Sequence, residues 1–305
     1  MVDLSVKKGK LVLKNPIMTA SGTFGYADEF EDFMDVSRLG AVVTKAISLN
    51  SRPGNSWDRV IEVEAGMINS IGLENVGIER FITEKIPVLN AKNINYVMNL
   101  AGSSEQEYVE LAKLSQENGI KSIELNVSCP NVKSGCLEFG TDAKTLGSLV
   151  NSVRSVYDGC LIVKLTPNVT RIEDIAISAQ ENGADAVSAI NTLKGLGMKL
   201  SFKNGKFQRE QVIGGFSGKA VKPVALGVVN RLKQVLDIPI IALGGISSMQ
   251  DVLEFFAVGA EAVQIGTANF TNPKVSECIL DELQEFMIQN GFASLDELKE
   301  RLRGE

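Results

Sequence analysis

Cys129, in the string ELNVSCPNVKSG, is the residue best suited to chemistry. A free thiol has an ordinary pKa of about 8.5 and becomes a base or nucleophile once deprotonated. Pro130 restrains the backbone directly after it. The chain has no histidine, which removes a Ser-His triad, an HExxH zinc site and a histidine base. Proton transfer must therefore use Cys, Lys, Asp, Glu or Tyr. The other cysteines are Cys136, Cys160 and Cys278. Cys160 and Cys278 read as small buried hydrophobes, and the Cys129–Cys136 spacing is not that of a CxxC redox pair. No metal site is expected.

Two lysines lie inside apolar runs, Lys45 in VVTKA and Lys164 in IVKLTP. A buried ammonium is costly unless it meets an anion. The competing reading for Lys164 is an ion pair with an interior carboxylate such as Glu124. IIALGGIS and VQIGTANF supply Gly244, Gly245 and Gly266, where the lack of a Cβ lets backbone N–H groups approach a phosphate, with Thr267 beside them as a further candidate ligand. Two lysines, several amides and a phosphate cradle suit an anionic cofactor beside an anionic substrate.

The elements that must position these groups are short β-rich runs alternating with amphipathic helices. The runs are Ile17–Ser21, Ala41–Ala46, Tyr96–Ala101, Ser122–Val127, Leu161–Thr166, Ala186–Asn191, Ile238–Leu243 and Ala262–Gly266. Near-continuous apolar strands belong to a parallel sheet buried on both faces, and eight such units predict one α/β domain over residues 1–305, a (β/α)8 TIM barrel. Their ends carry Ser21, Lys45-Ala46, Asn99, Asn126, Lys164, Asn191, Gly244-Gly245 and Gly266-Thr267, which would converge on one mouth. An N-terminal β-hairpin precedes the barrel. Two long connections, 47–94 and 192–220, are expected as insertions at the C-terminal mouth, the second holding a hairpin around SFKNGKF. The terminal DELKERLRG reads as a solvated helix.

A formal charge of -6 over 305 residues argues against nucleic-acid binding, which needs clustered cations. No apolar run is long enough to span a bilayer, and the first residues do not resemble a signal peptide. A cytoplasmic protein without a membrane partner is the expectation.

The strings NPIMTASGTFG, KAISLNSRPGN, NSIGLEN, ELNVSCPN, VKLTPNV, GGFSGKAVKPVAL, IIALGGI and IGTANFTNP together resemble the class 1 dihydroorotate dehydrogenases over nearly the whole chain. The resemblance implies one FMN in the barrel mouth and oxidation of dihydroorotate to orotate in pyrimidine biosynthesis. It implies FMN contacts at Ser21, Lys45, Ala46, Asn99, Asn126, Lys164, Ile190, Gly218, Gly244, Gly245, Gly266 and Thr267. Substrate contacts fall on Lys45, Asn69, Ser70, Ile71, Gly72, Leu73, Asn126, Asn131, Asn191 and Thr192, and the base on Cys129.

Within class 1, NTLKG and GTANFTNP look more like the NAD-linked 1B type than the fumarate-reducing 1A type, although residues 196–213 follow the 1B pattern least. The 1B resemblance implies a homodimer core joined, in a heterotetramer, to an electron-transfer subunit carrying FAD and an iron–sulfur cluster. This chain has neither a Rossmann fingerprint nor a cysteine cluster to hold those groups. A dihydropyrimidine dehydrogenase-type subunit and a flavin-free phosphate-binding lyase or isomerase are the remaining readings; SCPN with Asn131 favours orotate.

Overall fold

A computed structural model describes residues 2–56, 59–128 and 139–304 of the chain. Cys129, Asn131 and Cys136 lie outside the described residues. The chain opens with the expected antiparallel hairpin, β1 (Val6–Lys8) and β2 (Leu11–Leu13). Val6, Leu11 and Leu13 face the core, while Lys10 donates to the Asp158 carbonyl at 2.7 Å, near the N-terminal end of the barrel.

The strands that follow are β3 (Ile17–Thr19), β4 (Ala41–Val43), β5 (Val60–Val63), β6 (Gly66–Asn69), β7 (Tyr96–Leu100), β8 (Ser122–Asn126) and β9 (Cys160–Lys164). After them come β10 (Ala186–Ala189), β11 (Leu193–Lys203), β12 (Lys206–Ser217), β13 (Ile240–Leu243) and β14 (Ala262–Ile265). Eight close into a parallel barrel in the order β10-β13-β14-β3-β4-β7-β8-β9. These are the eight strands expected from the sequence, most of them ending one to three residues earlier. Asn99 lies within β7, and Asn126 and Lys164 close β8 and β9 as expected, whereas Ser21, Lys45, Asn191, Gly244 and Gly266 fall in the mouth loops just beyond their strands.

Helices between the strands bury one face against the barrel. Helix Glu105–Glu117 shows how: Ser104 caps it by accepting from the Glu107 N–H, and Tyr108, Leu111 and Ala112 recur on its buried side, the spacing that places side chains on one helical face. Its Tyr108 hydroxyl donates to the Asn126 carbonyl at 2.7 Å, fixing the end of β8.

The two insertions combine into a separate four-stranded antiparallel sheet, β11-β12-β6-β5. The expected hairpin is longer than SFKNGKF alone, and β6 pairs with its return strand from Gly215↔Asn69 to Ser217↔Met67. One face of this sheet makes a small core of Ile61, Ile68 and Val212. The opposite face of β11 and β12 carries Leu196, Met198, Leu200, Phe202, Phe207 and Ile213, each 44% to 78% exposed.

Two expectations require correction. The terminal helix Leu295–Arg303 is not wholly solvated, because Leu295, Leu298 and Lys299 are buried. Its charge-rich sequence hides a lysine that docks against the base of the barrel. Cys278 is exposed on helix Val275–Gln289 rather than buried; Cys160 is buried as expected. Among the described residues no helix is long and apolar enough to cross a membrane.

Candidate active site

The C-terminal mouth of the barrel opens into a cavity of about 490 Å³ roofed by the insertion sheet. Its wall is supplied where the sequence expected it. Ser21 follows β3, Lys45 and Ala46 follow β4, Asn126 and Lys164 end β8 and β9, and Ile190, Asn191 and Thr192 follow β10. Gly244 and Gly245 follow β13, and Gly266 and Thr267 follow β14. The insertions add Asn69, Ile71, Leu73 and Gly218.

Three expected contacts stand off this wall. Asn99 lies beneath the floor, fully buried, and donates its Nδ2 to Glu124 at 2.7 Å. Ser70 turns its hydroxyl to the Asn55 side-chain amide at 3.1 Å. Gly72 packs on Asn55, whose backbone nitrogen would lie 2.6 Å from an added Cβ.

Glycine is required at the diglycine turn on two counts. Gly244 and Gly245 have φ of 132° and 76°, conformations that L side chains rarely adopt. A Cβ on Gly245 would also come within 2.7 Å of the Lys222 Cβ at the start of helix Lys222–Lys233. The turn is thereby pressed against a helix N-terminus, a favourable setting for an anion. On the other side Thr267 Oγ1 hydrogen-bonds Ser217 Oγ at 2.8 Å, tying β14 to the insertion sheet.

The asparagines form a polar wall. Asn191 Nδ2 donates to Asn126 Oδ1 at 3.2 Å, and Asn191 Oδ1 accepts from the Thr192 N–H at 2.7 Å. Asn69 Nδ2 donates to the Gly215 carbonyl at 3.1 Å. Each amide keeps further donor or acceptor capacity for a ligand edge that alternates N–H and C=O groups.

Both lysines find carboxylates. Lys45 Nζ lies 3.5 Å from Glu74 at the rim, and its charge holds the Glu74 carboxyl below the usual range. Lys164 is 4% exposed; its Nζ donates to Ser21 Oγ at 2.9 Å and lies 3.7 Å from Glu124 Oε1. The ion pair with Glu124 is therefore present, yet Lys164 also lines the cavity.

Sequence reasoning missed Gln264 and Ser188. Both are fully buried and both bond to Glu124 Oε2 at 2.7 Å, and Gln264 also lines the cavity. The available signal was a polar side chain in an otherwise apolar strand, as at Gln264 in AVQIG.

A family profile described as "Dihydroorotate dehydrogenase" matches residues 3–287. A Bacteroides thetaiotaomicron protein named "Dihydroorotate dehydrogenase B (NAD(+)), catalytic subunit" is 45% identical over 98% of this chain and 98% of its own length. Proteins of the same name from Parabacteroides distasonis and Pelobacter propionicus are 46% and 45% identical, covering 98% and 97% of this chain and 97% of each relative. With the eight-stranded barrel and its walled mouth, these matches show that the chain belongs to the dihydroorotate dehydrogenase family.

Proposed function

We propose that the chain oxidises dihydroorotate to orotate in pyrimidine biosynthesis, as the FMN-binding catalytic subunit of a B-type, NAD-linked enzyme. The observation that carries this reading is Lys164, a buried ammonium at the floor of a cavity walled by asparagines on one side and glycine turns on the other. The relatives of B type span the departing stretch 196–213 as well, since they cover 97–98% of the chain.

The residues present suit FMN. The cavity of about 490 Å³ falls within the roughly 300–1,000 Å³ of small-molecule sites. Gly218, Gly244, Gly245, Gly266 and Thr267 would hold the phosphate, and Lys164 the pyrimidine edge of the flavin. Gln264 lines the cavity, and its buried carbonyl oxygen has no hydrogen-bond partner among the described residues, which suits a floor built for a polar ring. Bound there, FMN would supply a two-electron acceptor for the hydride lost from carbon 6 of dihydroorotate.

Cys129, three residues beyond the end of β8 in sequence, would take the proton from carbon 5. Asn69, Asn126, Asn131 and Asn191 would orient the substrate ring through paired N–H and C=O contacts. Lys45 would offset the substrate's carboxylate charge, and the insertion sheet above would restrict water.

The words "catalytic subunit" in the relatives' names support a second subunit here too, with FAD and the iron–sulfur cluster carried on it and a homodimer of this chain at the core of a cytoplasmic heterotetramer. The outward apolar face of β11–β12 supports burial against another chain. Residues 1–305 would work as one domain.

Anaerobic assay of the FMN-loaded chain tests the reading. Dihydroorotate should be oxidised with an artificial dye as acceptor, while NAD alone should be reduced only once the partner subunit is added. No turnover with dye overturns the reading, and rapid turnover with fumarate would place the chain with the 1A type. Cys129→Ala should bind FMN normally and lose about 10²–10⁴-fold in turnover, the usual worth of a general base.

A further inference from the structure

Below the cavity, five strands each contribute one polar side chain to the barrel interior: Asn99 from β7, Glu124 from β8, Lys164 from β9, Ser188 from β10 and Gln264 from β14. None is more than 4% exposed. Glu124 stands at the centre. Its Oε1 accepts from Asn99 Nδ2, and its Oε2 accepts from Ser188 Oγ and Gln264 Nε2, all at 2.7 Å. The Lys164 ammonium is farther from it, at 3.7 Å, and makes its shorter bond to Ser21 on the cavity wall.

This arrangement is unlike a pair built only for stability. Three neutral donors already satisfy the Glu124 carboxylate, so it does not depend on Lys164 for hydrogen bonding. Because both amides turn their N–H groups toward Glu124, the carbonyl oxygens of Asn99 and Gln264 are left without partners among the described residues. The carboxylate thus dictates which way the amides of Gln264, at the floor, and Asn99, beneath it, point. It also places a negative charge one layer deeper than the positive charge that meets the cavity.

We propose that Glu124 is a positioning residue that sets the electron affinity of the flavin held above Lys164. The inference rests on the functional reading given above. Two electrons and one proton convert neutral oxidised flavin to its reduced anion, so the bound ring gains one negative charge. Lys164 stabilises that charge, and Glu124, as its buried counter-charge, limits how far. Electrons destined for NAD must leave at low potential. A lysine without its counter-charge would hold them on the flavin too tightly.

The experiment is an anaerobic reductive titration of FMN-loaded full-length protein against a reference dye, comparing wild type with Glu124→Gln and Ser188→Ala. Glu124→Gln is nearly isosteric. It can keep all three contacts if Asn99 turns over its amide, whose oxygen is free of other partners among the described residues. At fixed potential it should raise the ratio of reduced to oxidised flavin about tenfold, a shift of ~30 mV to the positive. Ser188→Ala removes one hydrogen bond but keeps the charge, and should change the ratio by less than about twofold. A Glu124→Gln potential that is unchanged or more negative overturns the proposal, as does an equal shift in Ser188→Ala.

If Glu124→Gln does not fold, the double variant Glu124→Gln/Lys164→Gln carries neither charge of this pair and is compared with Lys164→Gln alone. The double variant should then have the more positive potential by a similar factor, and equal potentials overturn the role of Glu124. A wild type that takes up no FMN overturns the functional reading and this inference with it. A wild type that holds FMN, with variants that share its potential, overturns only the inference.

Discussion

Among the described residues the barrel carries a buried lysine–glutamate pair at each end. At the C-terminal mouth Lys164 stands 3.7 Å from Glu124, and two amide oxygens nearby lack partners among the described residues. At the opposite end Lys299, from the terminal helix, lies 2.8 Å from both the Glu261 carboxylate and the Glu261 carbonyl. Arg303 adds contacts to Glu261 Oε1 at 3.1 Å and to the carbonyls of Ala260 and Phe256, while the Lys299 ammonium sits 5.1 Å from the centre of the Phe256 ring. The bottom pair is closed, with donors and acceptors directed at one another. The mouth pair is left looser, and its Lys164 lines the cavity together with Gln264. Barrel enzymes divide their labour in this way, stability at the bottom and chemistry at the top.

If that division is right, Lys299→Met should have the largest effect on folding. It removes the shorter partner of the Glu261 carboxylate and leaves only Arg303, at 3.1 Å. Because that contact remains, the cost should approach but not exceed the about 3–5 kcal/mol of breaking a buried pair. Denaturant unfolding would show the loss, with FMN affinity of the folded fraction unchanged; a matching loss of FMN affinity would break the comparison. Lys164→Met should do the reverse. Glu124 keeps three hydrogen bonds, so stability should fall less, whereas FMN affinity should drop about 10–100-fold, the worth of one charged hydrogen bond. Fluorescence titration of the apoprotein measures it.

A smaller effect should appear in acid. Burial pushes the Glu261 carboxyl up, but Lys299 and then Arg303 outweigh it and hold the group below the usual carboxylate range. A depressed folded-state value means that stability from this group is complete above the unfolded pKa of about 4.3. It is lost as pH falls through the lower folded value. Glu261→Gln should therefore flatten the acid limb of a plot of stability against pH. An unchanged limb would assign the acid loss to other carboxylates.

The sequence made the eight strands legible because strands buried on both faces are apolar along their length: AVV, LIV and IIAL cannot easily be anything else. It made the mouth legible because each apolar run stopped at a polar or glycine residue. It did not reveal that the two insertions pair through β6 and β12, since register between segments about 150 residues apart leaves no local pattern. Glu124 was read only as an alternative partner for Lys164, because convergence of Asn99, Ser188 and Gln264 depends on barrel closure. Lys299 looked like part of a solvated helix for a similar reason. Its carboxylate partner lies 38 residues away in sequence.

The smallest effect is expected on β9 itself, which joins the two ends of the comparison. Lys164 closes this strand at the mouth, and Cys160 opens it at the bottom. Burial pushes the Cys160 thiol up to about 12, with Asp185 reinforcing the shift. At neutral pH almost none of it is thiolate, the reactive form. An alkylating agent at about pH 8 should label the exposed Cys278 in the folded protein and spare Cys160, as peptide mass analysis would show. Cys160→Ala should keep turnover within about twofold, since a buried thiol acts mainly as a small hydrophobe. Rapid labelling of Cys160, or a turnover loss as large as that of Cys129→Ala, would show that the base of the barrel takes part in the chemistry and that the division between the two ends is wrong.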